Sequence, residues 1–264
     1  MGCSNSKSTT NVASTPQPKQ TPPAKSKTTA DPSAPKIKAS AKLCDLVKNN
    51  KPILGYWEIK GRAYPARLLL AYAGVDFEDR EYQQTHKQIW FETDKPMVGK
   101  MADINYPSIP YVIDPTQKRA DGKPTIVFQS LAVQRYLGRS YDLSAKTDNE
   151  LMLEDMFEGI LKDLMDGLGK AFFSGSDEAM KKWIDGLEAA VEPIDAHLSS
   201  SKYLCGDNVT CFDFVLLSHM EMIENVKKDA FEKCKAMQRF RDDLMANDKL
   251  KKYVESKKEQ PFFP

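Results

Sequence analysis

The chain has 264 residues, 41% hydrophobic and 28% charged, and no run reaches the ~18–20 apolar residues that span a bilayer. No apolar h-region near the start marks a secretory signal, and Cys3, Cys44, Cys205, Cys211 and Cys234 form neither a C-x-x-C pair nor a metal-like spacing with the three histidines, so they read as reduced thiols. The net charge of +1 hides an asymmetry: residues 1–42 carry seven Lys against the single acid Asp31, or +6, leaving −5 on the rest, and so weakly acidic a body excludes general nucleic-acid binding.

The first eight residues, MGCSNSKS, fit the M-G-x-x-x-[ST] acylation pattern. Gly2 is the expected myristoylation site and Cys3 a palmitoylation site. One acyl chain holds only marginally, so the second chain and the Lys-rich arm supply the further signals that a stable anchor needs. From Ser4 to about Ala41 there is no Phe, Tyr or Trp, and stretches such as TPQPKQTPPAKSK cannot bury enough apolar area to offset ordering entropy. Residues 1–50 are therefore expected to be a disordered basic tether, with order beginning near Ile53.

ILGYWE reads as a strand, and AYPARLLLAYAG as a helix stopped by Gly74. VDFEDREY is a second strand, followed by a polar, partly helical stretch with Trp90. The strand IPYVID, a turn at Asp121-Gly122, the strand PTIVF and the helix QSLAVQRYLGRS complete a β-α-β-α-β-β-α unit over residues 51–141. From Thr147 the pattern is helical throughout, giving an all-α region over 142–264. In VTCFDF, Thr210 and Asp213 stand as N-cap and N3 of a capping box.

Three features of the α/β unit could carry chemistry. Tyr56 and Trp57 end the first strand, with Arg62 opening the helix beyond it, at the end of an open sheet where ligands bind. Ile109-Pro110 enters a strand. Gln129-Ser130 opens a helix directly after a strand, where free amides and a hydroxyl can hold a carboxylate. Taken singly, these also read as core aromatics, a turn and a helix start.

Their order along the chain, followed by an all-helical region, resembles the cytosolic glutathione transferases from about Ile53 to about Val254. ILGYWEIKGRAYPARLLL is similar to the start of the mu class, while GRA and QSLAVQRYLGR lean towards the sigma class. The resemblance implies a thioredoxin-like N-terminal domain, a helical C-terminal domain and a homodimer. It implies that Tyr56 donates a hydrogen bond to the glutathione sulfur, that Arg62 is a second cation near it, and that Trp57 shapes the pocket. Trp90 and Lys95 match residues holding the glycyl carboxylate. Ile109 offers its backbone to the cysteinyl part, beside Pro110, the family's cis-proline. Gln129 and Ser130 match the pair binding the γ-glutamyl carboxylate, and Asp163 an acid that reaches the neighbouring subunit's γ-glutamyl ammonium. Tyr106 matches an aromatic that plugs into the partner subunit. Phe172 and Phe173 are candidates for an electrophile pocket, Phe173 standing where several members carry a tyrosine.

The implied activity is conjugation of the glutathione thiolate to hydrophobic electrophiles, a detoxification reaction, with glutathione as co-substrate and no bound cofactor or metal. A non-catalytic dimerising adaptor and a glutathione-dependent isomerase of the prostaglandin synthase type are the alternatives. With the lipid motif, the expected place is the cytoplasmic side of a membrane, with a cytosolic pool.

Overall fold

The computed structural model describes residues 42–264, so Gly2 and Cys3 lie outside the described residues. The elements run α1 (Leu43–Val47), β1 (Ile53–Trp57), α2 (Tyr64–Ala73), β2 (Glu78–Tyr82), α3 (Lys95–Ala102), β3 (Tyr111–Lys118), β4 (Pro124–Phe128) and α4 (Ser130–Ser140). Five helices follow: α5 (Asp148–Phe173), α6 (Asp177–Ser200), α7 (Cys211–Val226), α8 (Lys235–Met245) and α9 (Asp248–Ser256). An α/β unit followed by a helical region is the architecture expected from the sequence. One boundary differs: order was expected from Ile53, yet Leu43–Val47 form a helix whose Leu43 and Leu46 are buried. Two leucines in a polar setting gave no periodicity to read.

The sheet order is β2-β1-β3-β4. β1 runs parallel to β2, as a crossover through α2 requires, and antiparallel to β3, which forms a hairpin with β4. Side chains alternate across the sheet and divide two cores. Leu54 and Val112 face the larger core, with α2, α4 and the helices beyond. Ile53, Tyr111 and Ile113 face a smaller one, shared with Val98 of α3 and with α1.

Local signals explain the element ends. Gly74 closes α2 at φ 69°, a conformation that costs glycine little. Thr147 and Glu150 form a capping box on α5, one that the sequence analysis did not single out. At the expected box on α7, the Thr210 amide donates to Asp213 Oδ2 at 2.6 Å and the Leu204 amide to Oδ1 at 2.9 Å.

Fully buried Arg67 on α2 ties the loop after β1 to β2. Its Nη1 donates to Ile59 O at 2.7 Å, and its Nε to the Asp79 carboxylate at 3.0 Å. The chain after α9 returns to the same loop: the amides of Lys60 and Gly61 donate to Pro261 O at 2.8 Å and Phe262 O at 3.2 Å. Among the described residues, no helix is long and apolar enough to cross a membrane, and no cluster of side chains could hold a metal ion.

Candidate functional site

β1 delivers Tyr56 to the carboxyl edge of the sheet with its ring almost entirely buried. Its phenol oxygen accepts the backbone N–H of Arg62 at 3.2 Å, which leaves the hydroxyl proton free for another acceptor. Burial raises the Tyr56 pKa, partly offset by the Arg62 amide and the charges of Arg62 and Arg67. Tyr56 is thus a protonated donor at neutral pH. The turn that brings Arg62 round needs Gly61, at φ 41°, since an added Cβ would lie 2.8 Å from Tyr56 Cε1.

Tyr56 opens onto a cleft of about 610 Å³ between the α/β unit and α5. Trp57 and Arg62 line one side, Met165, Asp166 and Phe173 the other. The Arg62 guanidinium lies 4.0 Å from Asp166. A smaller chamber of about 80 Å³ shares Gly61, Arg62, Met165 and Asp166 with the cleft and reaches Ser130, Gln134 and His219. His219 is buried with no partner for Nδ1, and burial pushes its pKa down to about 4, so the ring is neutral at pH 7.

Ser130 opens α4, whose N-cap Gln129 makes no capping side-chain bond. Gln129 itself has φ 71° and ψ 126°, a left-handed conformation that a non-glycine residue holds only under constraint. The first amides of α4 therefore meet no side-chain cap, beside the positive end of the helix dipole. Ile109-Pro110 is a cis peptide, and Ile109 packs beside Trp57 against both the Tyr56 cluster and the smaller core.

Trp90 lies in the segment between β2 and α3. It is 2% exposed, stacked on Tyr111 at 5.6 Å and tilted against Tyr82 at 5.5 Å. The segment Ile89–Asp94 is a π-helix, and its wider turn sends Trp90 into the core and leaves Phe91 outside, 50% exposed and 6.1 Å from the Trp57 ring. Lys95 follows with Nζ 5.8 Å from the Phe91 ring centre. Asp163 is absent from the cleft wall; it lines a groove of about 780 Å³ between α5 and α6. Tyr106 is 79% exposed. Phe173 lines the cleft, whereas Phe172 sits behind it, stacked on Phe263 at 4.1 Å.

Sequence reasoning missed Gly61 and the tail, where Phe262, Phe263 and Pro264 wall the cleft. The signal was an aromatic pair, QPFFP, after a run of charges.

Comparisons with known proteins bear on these features. Residues 52–139 match the family model "Glutathione S-transferase, N-terminal domain", and residues 162–257 match "Glutathione S-transferase, C-terminal domain". A class-mu 26 kDa glutathione S-transferase isozyme of Schistosoma mansoni is 31% identical over 172 residues, which is 65% of this chain and 82% of the relative. A glutathione S-transferase of Tyrophagus putrescentiae is 28% identical over 218 residues, covering 81% and 94%. The solved Pi-class glutathione S-transferase of Onchocerca volvulus superposes with a TM-score of 0.68 at 20% identity over 81% of this chain and 98% of that one. Prostaglandin synthase D of Nilaparvata lugens gives 0.60 at 24%, over 78% and 97%. At those identities the structural likeness is one of fold.

Proposed function

Because the chain belongs to the glutathione S-transferase family and is a transferase of that kind, we propose that its cleft joins the thiol of glutathione to an apolar electrophile. The thiol proton passes to solvent and the carbon–sulfur bond forms, either as the leaving group departs or as the acceptor double bond is saturated, its second carbon then taking a proton from solvent. The observation that carries this reading is the Tyr56 hydroxyl, held by the Arg62 amide with its proton unspent at the wall of the cleft. A free thiol with a pKa near ~8.5 is only a few per cent ionised at neutral pH. A donor aimed at the sulfur stabilises the anion and raises that fraction. Binding both reactants in one cleft adds the advantage of proximity.

The uncapped start of α4 at Gln129 and Ser130 suits the γ-glutamyl carboxylate, the Ile109 backbone the cysteinyl part, and Lys95 beside Phe91 the glycyl carboxylate. Trp57 shapes the pocket, and the Arg62 side chain supplies positive charge at its mouth. Phe173 and Phe263 wall the electrophile side, with Phe172 supporting them. Trp90 joins Lys95 at the glycyl carboxylate, its ring anchored in the smaller core.

The functional unit is a homodimer on this reading. Support comes from the exposed Tyr106, the α5–α6 groove, and the apolar stripe Leu151, Met152, Met156 and Ile160 exposed on α5. Asp163 on that groove faces away from its own cleft, as a residue serving a partner would. The N-terminal motif adds a proposed lipid anchor through Gly2 and Cys3, on the cytoplasmic face of a membrane. Gly2→Ala is expected to move the protein from the membrane to the soluble fraction; an unchanged distribution refutes the anchor.

The transferase reading is tested by retention on immobilised glutathione, followed by chloride release and thioether formation with an activated aryl chloride. Failure of both in the full chain would favour a non-catalytic role.

A further inference from the structure

We infer that helix α1, which lies before both family-matched segments, is a positioning element for the glutathione half of the cleft, acting through Leu43 and Leu46. The inference rests on the glutathione reading above and names a part of the chain that serves it.

A five-residue helix has no stability of its own in water, since nucleation costs more than so few bonds return. Its helicity must come from packing, and Leu43 is fully buried. The core it enters is small. Eight buried residues make it up, and α1 supplies two of them, Leu43 and Leu46. The others are Ile53 of β1, Tyr82 at the end of β2, Trp90 of the π-helix, Val98 of α3, and Tyr111 and Ile113 of β3. Trp57 and Ile109, both proposed to touch glutathione, pack against this same cluster.

The cluster thus holds both α1 residues and has the cleft residue Trp57 packed against it. Its members are tied together by the Trp90–Tyr111 stack and the bond between the Tyr82 and Tyr111 hydroxyls at 2.7 Å. Tyr82 donates to Asp94 at 2.8 Å, and Arg80 pairs with the same carboxylate at 2.9 Å, which fixes the end of the π-helix just before Lys95. Close-packed interiors transmit displacement, so a void at Leu43 shifts the aromatic stack and, with it, Trp57, Ile109 and Lys95. Tyr56 and Ala63 belong to a separate cluster, and the helices α5–α9 to the larger core. The Tyr56 cluster meets the smaller core only through Trp57 and Ile109, so the effect of α1 falls first on the tripeptide side.

The test compares full-length Leu43→Ala, Leu43→Met and Leu244→Ala. Leu244 is an equally buried leucine of α8 in the larger core. Glutathione Kd is measured by calorimetry and KM for the electrophile by steady-state kinetics, with amide hydrogen exchange followed over residues 89–101 and 109–113. Leu43→Ala is expected to weaken glutathione binding three- to tenfold, leave electrophile KM within twofold and speed exchange in both segments; Leu43→Met restores all three. Leu244→Ala lowers thermal stability but spares Kd and those segments. An unchanged exchange pattern in Leu43→Ala overturns the inference whether or not glutathione binds. An equal loss of affinity in Leu244→Ala overturns it as well, because α1 then has no special place. If the wild type binds no glutathione yet exchange responds as expected, the transferase reading fails while the packing link stands.

Discussion

The backbone amide of Arg62 donates to the phenol oxygen of Tyr56 at 3.2 Å, so the residue after Gly61 orients the hydroxyl through its main chain while its own guanidinium points out towards Asp166. The contact occupies the oxygen as acceptor and leaves its one proton to give. It also separates two roles that the sequence motif had merged: the Arg62 amide serves Tyr56, and the Arg62 side chain serves the mouth of the cleft.

Tyr56→Phe removes that proton and little else. Turnover is expected to fall at least tenfold, about 1.4 kcal/mol of transition-state stabilisation, with glutathione Kd nearly unchanged. Steady-state kinetics beside calorimetry makes the comparison. Ser130→Ala is the complement, weakening binding more than turnover.

Gly61→Ala attacks the same geometry from the backbone. The new methyl meets the Tyr56 ring while φ stays at 41°, which costs an alanine roughly 1 kcal/mol. Turnover should drop about tenfold with modest loss of thermal stability, and a crystal structure of the variant should show the ring displaced. Wild-type turnover in Gly61→Ala would mean that the hydroxyl position is not what limits the reaction.

Phe262→Ala tests the tail. The ring is buried edge-on against Tyr64 at 5.8 Å, with Lys60 Nζ 4.5 Å from its centre. Its loss is expected to cost about 3 kcal/mol in urea unfolding. It also frees Phe263 from its stack on Phe172, so KM for an aryl electrophile rises while glutathione Kd holds.

His219 gives a pH signature. Its folded pKa of about 4 lies below the ordinary 6.5, so between those values the unfolded chain binds a proton that the folded chain refuses. That part of the stability is present above pH 6.5 and lost on acidification. Asp213, pushed up to about 7 by burial, runs the other way, taking up a proton in the folded state over the same window. The comparison must therefore be between proteins: from pH 7 to 5 the wild type should lose roughly 2 kcal/mol more than His219→Leu. Parallel curves for the two would deny His219 any part.

What the sequence made legible was local. Tyr56 at a strand end, Ser130 at a helix start and the Thr210–Asp213 box each follow from a few adjacent residues, and all stand where expected. What it hid depended on register or on distance. The Trp90 ring packs in the smaller core from within a π-helix, and no periodicity of 3.6 foretells that turn. Phe262 and Phe263 reach the cleft because the carbonyls of Pro261 and Phe262 accept the amides of Lys60 and Gly61, far away in the chain. Leu43 and Leu46 offered too short a pattern to separate from the polar arm before them.

The central claim is that Tyr56 stabilises the glutathione thiolate, and titration of the bound thiol tests it most directly. Thiolate absorbance in the far ultraviolet is followed against pH for glutathione bound to the wild type and to Tyr56→Phe. The bound thiol should ionise at least one pH unit below free glutathione in the wild type and return close to the free value in Tyr56→Phe. Coincident titration curves for the two proteins would contradict the account.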